Sequence, residues 1–178
     1  MDIVKLNKAK KLISKKFSIP ASLMENSACF MQREDGKLLA LVSFFNYNLN
    51  DNCLYLYDCD KLNQFYLQPI MQIKFQDKKY NELYLRRLEY CNYSNNEFIG
   101  HGYASDFMKL LTEFASKNNY KLITGELIPL HNADFNHVEK FYLKNDFKIY
   151  IGDNNQKCIF KKIDNKTKNY NDEEEKLM

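Results

Sequence analysis

The chain has 178 residues, 45% hydrophobic and 15% aromatic, with 13 Tyr, 13 Phe and no Trp, which is enough apolar material for one packed domain. Its 26 basic and 23 acidic residues leave a formal charge of +3, too mild an excess to point to nucleic acid, whose binders usually carry a clustered basic face. Cys29, Cys53, Cys59, Cys91 and Cys158 are odd in number and scattered, with no C-x-x-C, so the composition weighs against a disulfide framework or zinc site and for reduced thiols.

Residues 1–17 carry Ile3, Val4, Leu6, Ala9, Leu12, Ile13 and Phe17 at mostly helical spacing, with six lysines between them, and predict an amphipathic first helix ended by Ile19-Pro20. Residues 28–33 and 37–47 read as two strands joined at Glu34-Asp35-Gly36, because Asp-Gly between apolar runs signals a hairpin. Residues 46–52 are polar and turn-like, and residues 53–58 alternate as a short strand. Residues 65–75 suggest a further strand that Pro69 interrupts.

Residues 82–91 read as a strand. Strict alternation puts Leu83, Leu85, Arg87 and Glu89 on one face, and Tyr84, Arg86, Leu88 and Tyr90 on the other. Polar side chains inside such a strand suit a face that meets a cleft, or equally a wet edge strand. Residues 105–117 hold Phe107, Met108, Leu110, Leu111, Phe114 and Ala115 at helical spacing, with Asn118-Asn119 as a stop. Residues 120–128 form the next strand. Strand, helix, strand at this spacing is a βαβ unit, whose two strands are parallel neighbours. A helix over 135–145 follows, then a hairpin of 147–151 and 157–163, and residues 164–178 read as a mobile tail. No apolar run approaches a membrane span and no signal-peptide core opens the chain, so the cytoplasm is the expected compartment.

Between the strand at 82–91 and the helix at 105–117 lies Gly100-His101-Gly102. A small-residue turn opening a helix leaves backbone N–H groups unpaired, with the positive end of the helix dipole behind them. Such a turn either cradles an anion or simply links a strand to a helix without a ligand.

Two motifs give residues 83–147 a resemblance to the GCN5-related N-acetyltransferases, the GNAT family. The phosphate loop Q/R-x-x-G-x-G/A is matched by Ile99-Gly100-His101-Gly102-Tyr103-Ala104, and the closing Y-x-K-x-G-F by Tyr142-Leu143-Lys144-Asn145-Asp146-Phe147. The chain departs from these patterns in Ile99, where Gln or Arg is usual, in Asp146, where Gly is usual, and in a longer loop over 92–98. The resemblance implies an α/β (α+β) domain over residues 1–163, with a mixed central sheet, flanking helices and a splayed parallel strand pair. Residues 1–81 would be its variable half and 82–163 its acetyl-CoA-binding half.

The resemblance also implies acetyl transfer from acetyl-CoA to an amine of a small molecule or protein, with no metal. The pantetheine arm would lie between the strands at 82–91 and 120–128. Gly100, His101, Gly102, Tyr103, Ala104 and Ser105 would hold the pyrophosphate, and backbone N–H groups around Leu88 and Tyr90 would polarise the thioester carbonyl. Tyr142 would act as the acid that protonates the leaving thiolate, and Glu89 is the candidate base for the amine. Each has a plainer reading, Tyr142 as an anchor of its helix and Glu89 as a carboxylate paired with Arg86 or Arg87. Asn136 and Lys144 are candidates for touching CoA. A metal site using His131, Asp134 and His137 has the wrong spacing for one helical face. Two alternatives stand beside the enzyme: a module that binds acyl-CoA without turnover, and an RNA- or ribosome-directed protein suggested by the lysines at 5–16. A homodimer is compatible with the family.

Overall fold

The chain is described by a computed structural model that covers residues 1–44, 52–62, 68–78, 81–91, 98, 100–128 and 134–164. Eight strands form one mixed sheet in the order β1-β2-β3-β4-β5-β6-β8-β7. The first half supplies α1 (Ile3–Phe17), the one-turn α2 (Met24–Ser27), β1 (Ala28–Gln32), β2 (Leu38–Phe44), β3 (Asn52–Asp58) and β4 (Met71–Lys78). The second half supplies β5 (Glu82–Tyr90), α3 (Tyr103–Lys117), β6 (Leu122–Glu126), α4 (Phe135–Lys144), β7 (Lys148–Ile151) and β8 (Lys157–Lys162). β5 and β6 are parallel, and every other neighbouring pair is antiparallel. This is the mixed sheet with one parallel pair expected above. Among the described residues no helix is long and apolar enough to cross a membrane.

Each face of the sheet carries its own core. On one face the α3 residues Phe107, Met108, Leu110, Leu111 and Phe114 pack on Leu41, Leu56, Ile73, Phe75, Leu83 and Ile123. Phe75 meets Phe114 edge to face at 6.2 Å. Burying one such side chain contributes about 1.5–3 kcal/mol, so α3 is held by packing far more than by its own propensity. On the opposite face Ala9 and Ile13 of α1 pack on Leu38, Ala40, Val42 and Tyr57, with Phe17 against Phe44 and Tyr57. α1 begins at Ile3 because the Asp2 carboxylate accepts from the Val4 and Lys5 N–H groups, and it ends at Ser18, which turns left-handed at φ 54°. Its lysines Lys8, Lys11, Lys15 and Lys16 stay exposed.

Two sequence expectations need correction here. The strand expected over 65–75 is β4, which begins after Pro69 and runs on to Lys78. Proline has no N–H for the ladder, so the regular pairing starts two residues past it. The helix expected from Ser105 begins at Tyr103, since Gly102 itself is the N-cap. The expected turn over 46–52, the loop over 92–97, Ile99 and the tail beyond 164 lie mainly or wholly outside the described residues.

The strict alternation expected for β5 also fails. Opposite β4 the register jumps from Phe75↔Leu85 to Lys74↔Arg87, so Arg86 falls between two ladder pairs as the extra residue of a β-bulge. Beyond it Leu88 and Tyr90 rejoin Leu83 and Leu85 against the α3 core, while Arg87 and Glu89 turn to the face shared with Gln72 and Tyr55. The ladder to β6 runs from Glu82↔Leu122 to Leu85↔Gly125 and stops there, one residue before the bulge. A Cβ on Gly125 would lie 2.8 Å from the Leu85 carbonyl oxygen, so the two strands touch backbone to backbone at the point where they part.

Candidate active site

The fork between β5 and β6 opens an edge of unpaired backbone. The Cys91 N–H donates to the Ile70 carbonyl, on the β4 side. Strand polarity alternates, so the Glu89 N–H faces β4 too, and the Leu88 and Tyr90 N–H groups face the fork. β6 makes no ladder with residues 86–90, so these two donors have no strand partner there. Their side chains are half-buried against the α3 core, and burial raises the Tyr90 phenol above its ordinary pKa. Leu88 and Tyr90, selected above from the resemblance, thus have backbone N–H groups that face the fork.

The C-terminal end of a parallel strand and the start of the helix that follows lie at the same end of a βαβ unit. Here that helix is α3, of 15 residues, capped by Gly102 at φ 80° with no side chain closing it. Gly100 takes φ 81° as well, a conformation side-chain-bearing residues rarely adopt. The Gly102 carbonyl accepts from the Asp106 N–H at 3.1 Å. Among the described residues, the N–H groups of Gly102, Tyr103, Ala104 and Ser105 find no acceptor. Gly100, His101 and Gly102 are exposed, whereas the Tyr103 ring is buried in the core. A helix start whose first N–H groups are open among the described residues suits an anion.

Arg33, at the foot of the β1–β2 hairpin, reaches this turn and was not singled out from the sequence. Its Nη2 donates to the His101 carbonyl at 2.7 Å, its Nη1 lies 3.1 Å from the Asp106 carboxylate, and its guanidinium stacks 4.4 Å above the Tyr103 ring. Lys37, from the same hairpin, donates to the Tyr103 hydroxyl at 3.2 Å. No local pattern could have signalled a contact spanning 68 positions.

Glu89 is largely buried and doubly held. Arg87 Nε lies 2.7 Å from one carboxylate oxygen, and Gln72 donates to the other. Across the sheet, Tyr55, Gln72 and Glu89 stand in one row. Burial is the main cause that pushes the Tyr55 phenol up to about 12. Of the two sequence readings, the ion pair is present, with Arg87 as the partner.

Tyr142, in α4, lies in the α3-side core, edge-on to Phe141 at 5.2 Å and to Phe147 at 5.4 Å. Burial pushes its phenol up to about 12, and among the described residues its hydroxyl has no hydrogen-bond partner. Asn145, which caps α4, points its amide at Ser105 Oγ, 3.5 Å away, and so joins the end of α4 to the first turn of α3. Asp146 adopts φ 65° and fills the left-handed position where the family motif has glycine. Glu89 and Tyr142 therefore belong to opposite faces of the sheet, with the fork between them.

Asn136 sits exposed in the first turn of α4, and its N–H donates to the Asp134 carboxylate. Lys144 is exposed at the other end of that helix. Asp134 is the N-cap of α4 and His137 is exposed, while His131 lies outside the described residues.

No protein-family model matches the chain, and no curated protein does. Solved structures similar to it include Tetrahymena GCN5, at 16% identity and TM-score 0.47, with 90% of this chain and 87% of that one covered. A Bacillus subtilis acetyltransferase in complex with CoA has 12% identity and TM-score 0.47, over 70% of this chain and 97% of that one. Campylobacter jejuni N-acetyltransferase PseH has 15% identity and TM-score 0.45, over 64% of this chain and 68% of that one. At such values the chemistry has to be read from this chain's own residues.

Proposed function

We propose that the chain is an N-acetyltransferase, with residues 1–163 as one functional unit, that moves an acetyl group from acetyl-CoA to an amine of a small molecule or protein by direct attack. The observation that carries this reading is the pairing of two anion-accepting features at one end of the β5–α3–β6 crossover. One is the open backbone edge at Leu88 and Tyr90, and the other is the start of α3 at its N-cap Gly102, where no side chain makes a capping bond. The first suits the developing oxyanion of a thioester, and the second suits a pyrophosphate. Gly100, His101, Gly102, Tyr103, Ala104 and Ser105 hold the phosphates chiefly through main-chain N–H groups, so the loss of the usual polar residue at Ile99 leaves the cradle intact.

The amine must be neutral to attack, and a lysine-like amine has a pKa near ~10.4. Glu89 takes a proton from the ammonium form, directly or through a water, and the neutral amine then forms the C–N bond. The C–S bond then breaks, and the departing sulfur is stabilised by the Tyr142 hydroxyl. Asn136 and Lys144 lie outside this sequence of steps.

A second reading, acyl-CoA binding without turnover, is favoured by one observation. Glu89 already has Arg87 and Gln72 on its two oxygens, so both are engaged before any amine arrives. Calorimetry with acetyl-CoA, and thiol release over a panel of amines, separate the two. The enzyme reading expects both binding and release for at least one amine. Tight binding with no release for any amine selects the binder. Gly102→Val, which forces a β-branched residue to φ 80°, is expected to abolish CoA binding in a folded protein. Wild-type affinity in that variant refutes the cradle.

A further inference from the structure

We infer that Arg33 is the positioning residue of the phosphate cradle, an inference that rests on the reading of the glycine turn given above. Its backbone is fixed first. The Arg33 N–H donates to the Lys37 carbonyl at 2.9 Å and its carbonyl accepts from the Gly36 N–H at 3.0 Å, so the side chain leaves from a closed hairpin. It then makes three different contacts with one short segment: the His101 carbonyl, the Asp106 carboxylate and the Tyr103 ring.

The first contact sets a direction. In a trans peptide the C=O and the following N–H point opposite ways. Holding the His101 carbonyl on the Arg33 side therefore turns the Gly102 N–H to the other side, and that donor has no acceptor among the described residues. Glycine has more backbone freedom than any other residue type, so a pinned carbonyl between the glycines at φ 81° and 80° removes much of the freedom that an incoming phosphate would otherwise have to freeze.

The second contact sets a charge. Asp106 stands in the first turn of α3, where a carboxylate favours the helix but competes with any anion for the same partial charge. Arg33 neutralises it from a half-buried position, its side chain 18% exposed and that of Asp106 14%. The third contact holds the guanidinium plane flat on Tyr103, which is itself buried. Arg33 thus reaches no phosphate itself and acts through the turn.

The test is calorimetric titration of CoA into the wild type, Arg33→Met, Arg33→Lys and the double variant Arg33→Met/Asp106→Asn, with a thermal melt on each. Loss of a charge-assisted contact predicts CoA affinity lower by about tenfold to a hundredfold in Arg33→Met. Arg33→Lys, which can neutralise Asp106 but cannot fork to His101, falls between. Removing the carboxylate left unneutralised by Arg33→Met restores, in the double variant, several-fold of the affinity lost, although its melting temperature does not recover. With an active amine acceptor, the KM for acetyl-CoA rises while kcat holds. Wild-type affinity in folded Arg33→Met, or a double variant no better than the single one, overturns the role of Arg33. A wild-type protein that does not bind CoA overturns the reading of the turn itself, and the inference with it.

Discussion

Tyr142 has its phenol pushed up to about 12 by burial, whereas a simple thiol titrates near ~8.5. Full proton transfer to a thiolate would be uphill by about 3–4 pKa units, on the order of 5 kcal/mol. The hydroxyl is thus better suited to donate a hydrogen bond to the departing sulfur than to surrender its proton, which can come from the ammonium formed at the amine. Tyr142→Phe keeps the ring between Phe141 and Phe147, so it is expected to lower kcat by about ten- to a hundredfold with little change in CoA affinity or melting temperature. A variant with wild-type kcat in a thiol-release assay would leave Tyr142 as a packing residue. At this scale the sequence exposed the residues whose role depends on near neighbours. Gly100, Gly102 and Asp146 were legible because a left-handed position selects small or Asx residues. Arg33 was not, because nothing around it in the chain records that the hairpin folds back onto the start of α3.

Among the elements, β5 is the most informative. Its apolar residues are spaced two, three, two: Leu83, Leu85, Leu88, Tyr90. Strict alternation misassigned the last four positions, yet the three-residue step was itself the mark of a bulge, which adds one residue without changing the inner face. β1 to β3 were read with nearly correct bounds, since each pairs with its neighbour across a short connection. Gly125, not singled out in the sequence, sits inside a strand, where a glycine often marks close backbone approach. Gly125→Ala would place a methyl 2.8 Å from the Leu85 carbonyl oxygen and force β5 and β6 apart at their contact point. A loss of about 1–3 kcal/mol is expected in urea denaturation. An unchanged midpoint would show that the pair can separate at no cost.

The whole molecule is two cores on one sheet, and both bury titratable groups that are neutral at ordinary pH. Burial pushes the Cys29 and Cys59 thiols from 9.0 up to about 12, and it does the same to the Tyr142 phenol, from 10.0 to about 12. Between the unfolded and folded values the unfolded chain has released protons that the native state keeps, so the stability these groups supply is full below about pH 9 and falls as pH rises towards about 12. A melting temperature that declines steadily from pH 9 to 11 is expected, and one that stays flat over that range would show that these groups titrate as they do in the unfolded chain. Much of the architecture could be anticipated because alternation and helical spacing fix faces locally. The opposition of Glu89 and Tyr142 across the sheet could not, since it depends on the phase of a single strand. That phase has one more consequence. A chain without Arg86 would still read Leu83, Leu85, Leu88, Tyr90 in perfect alternation, with the same four side chains facing inward and no interruption to stop β5 from pairing further along β6. The extra residue adds nothing to the core. What it supplies is an opening, and it does so by giving up ladder continuity that a purely structural sheet would have kept.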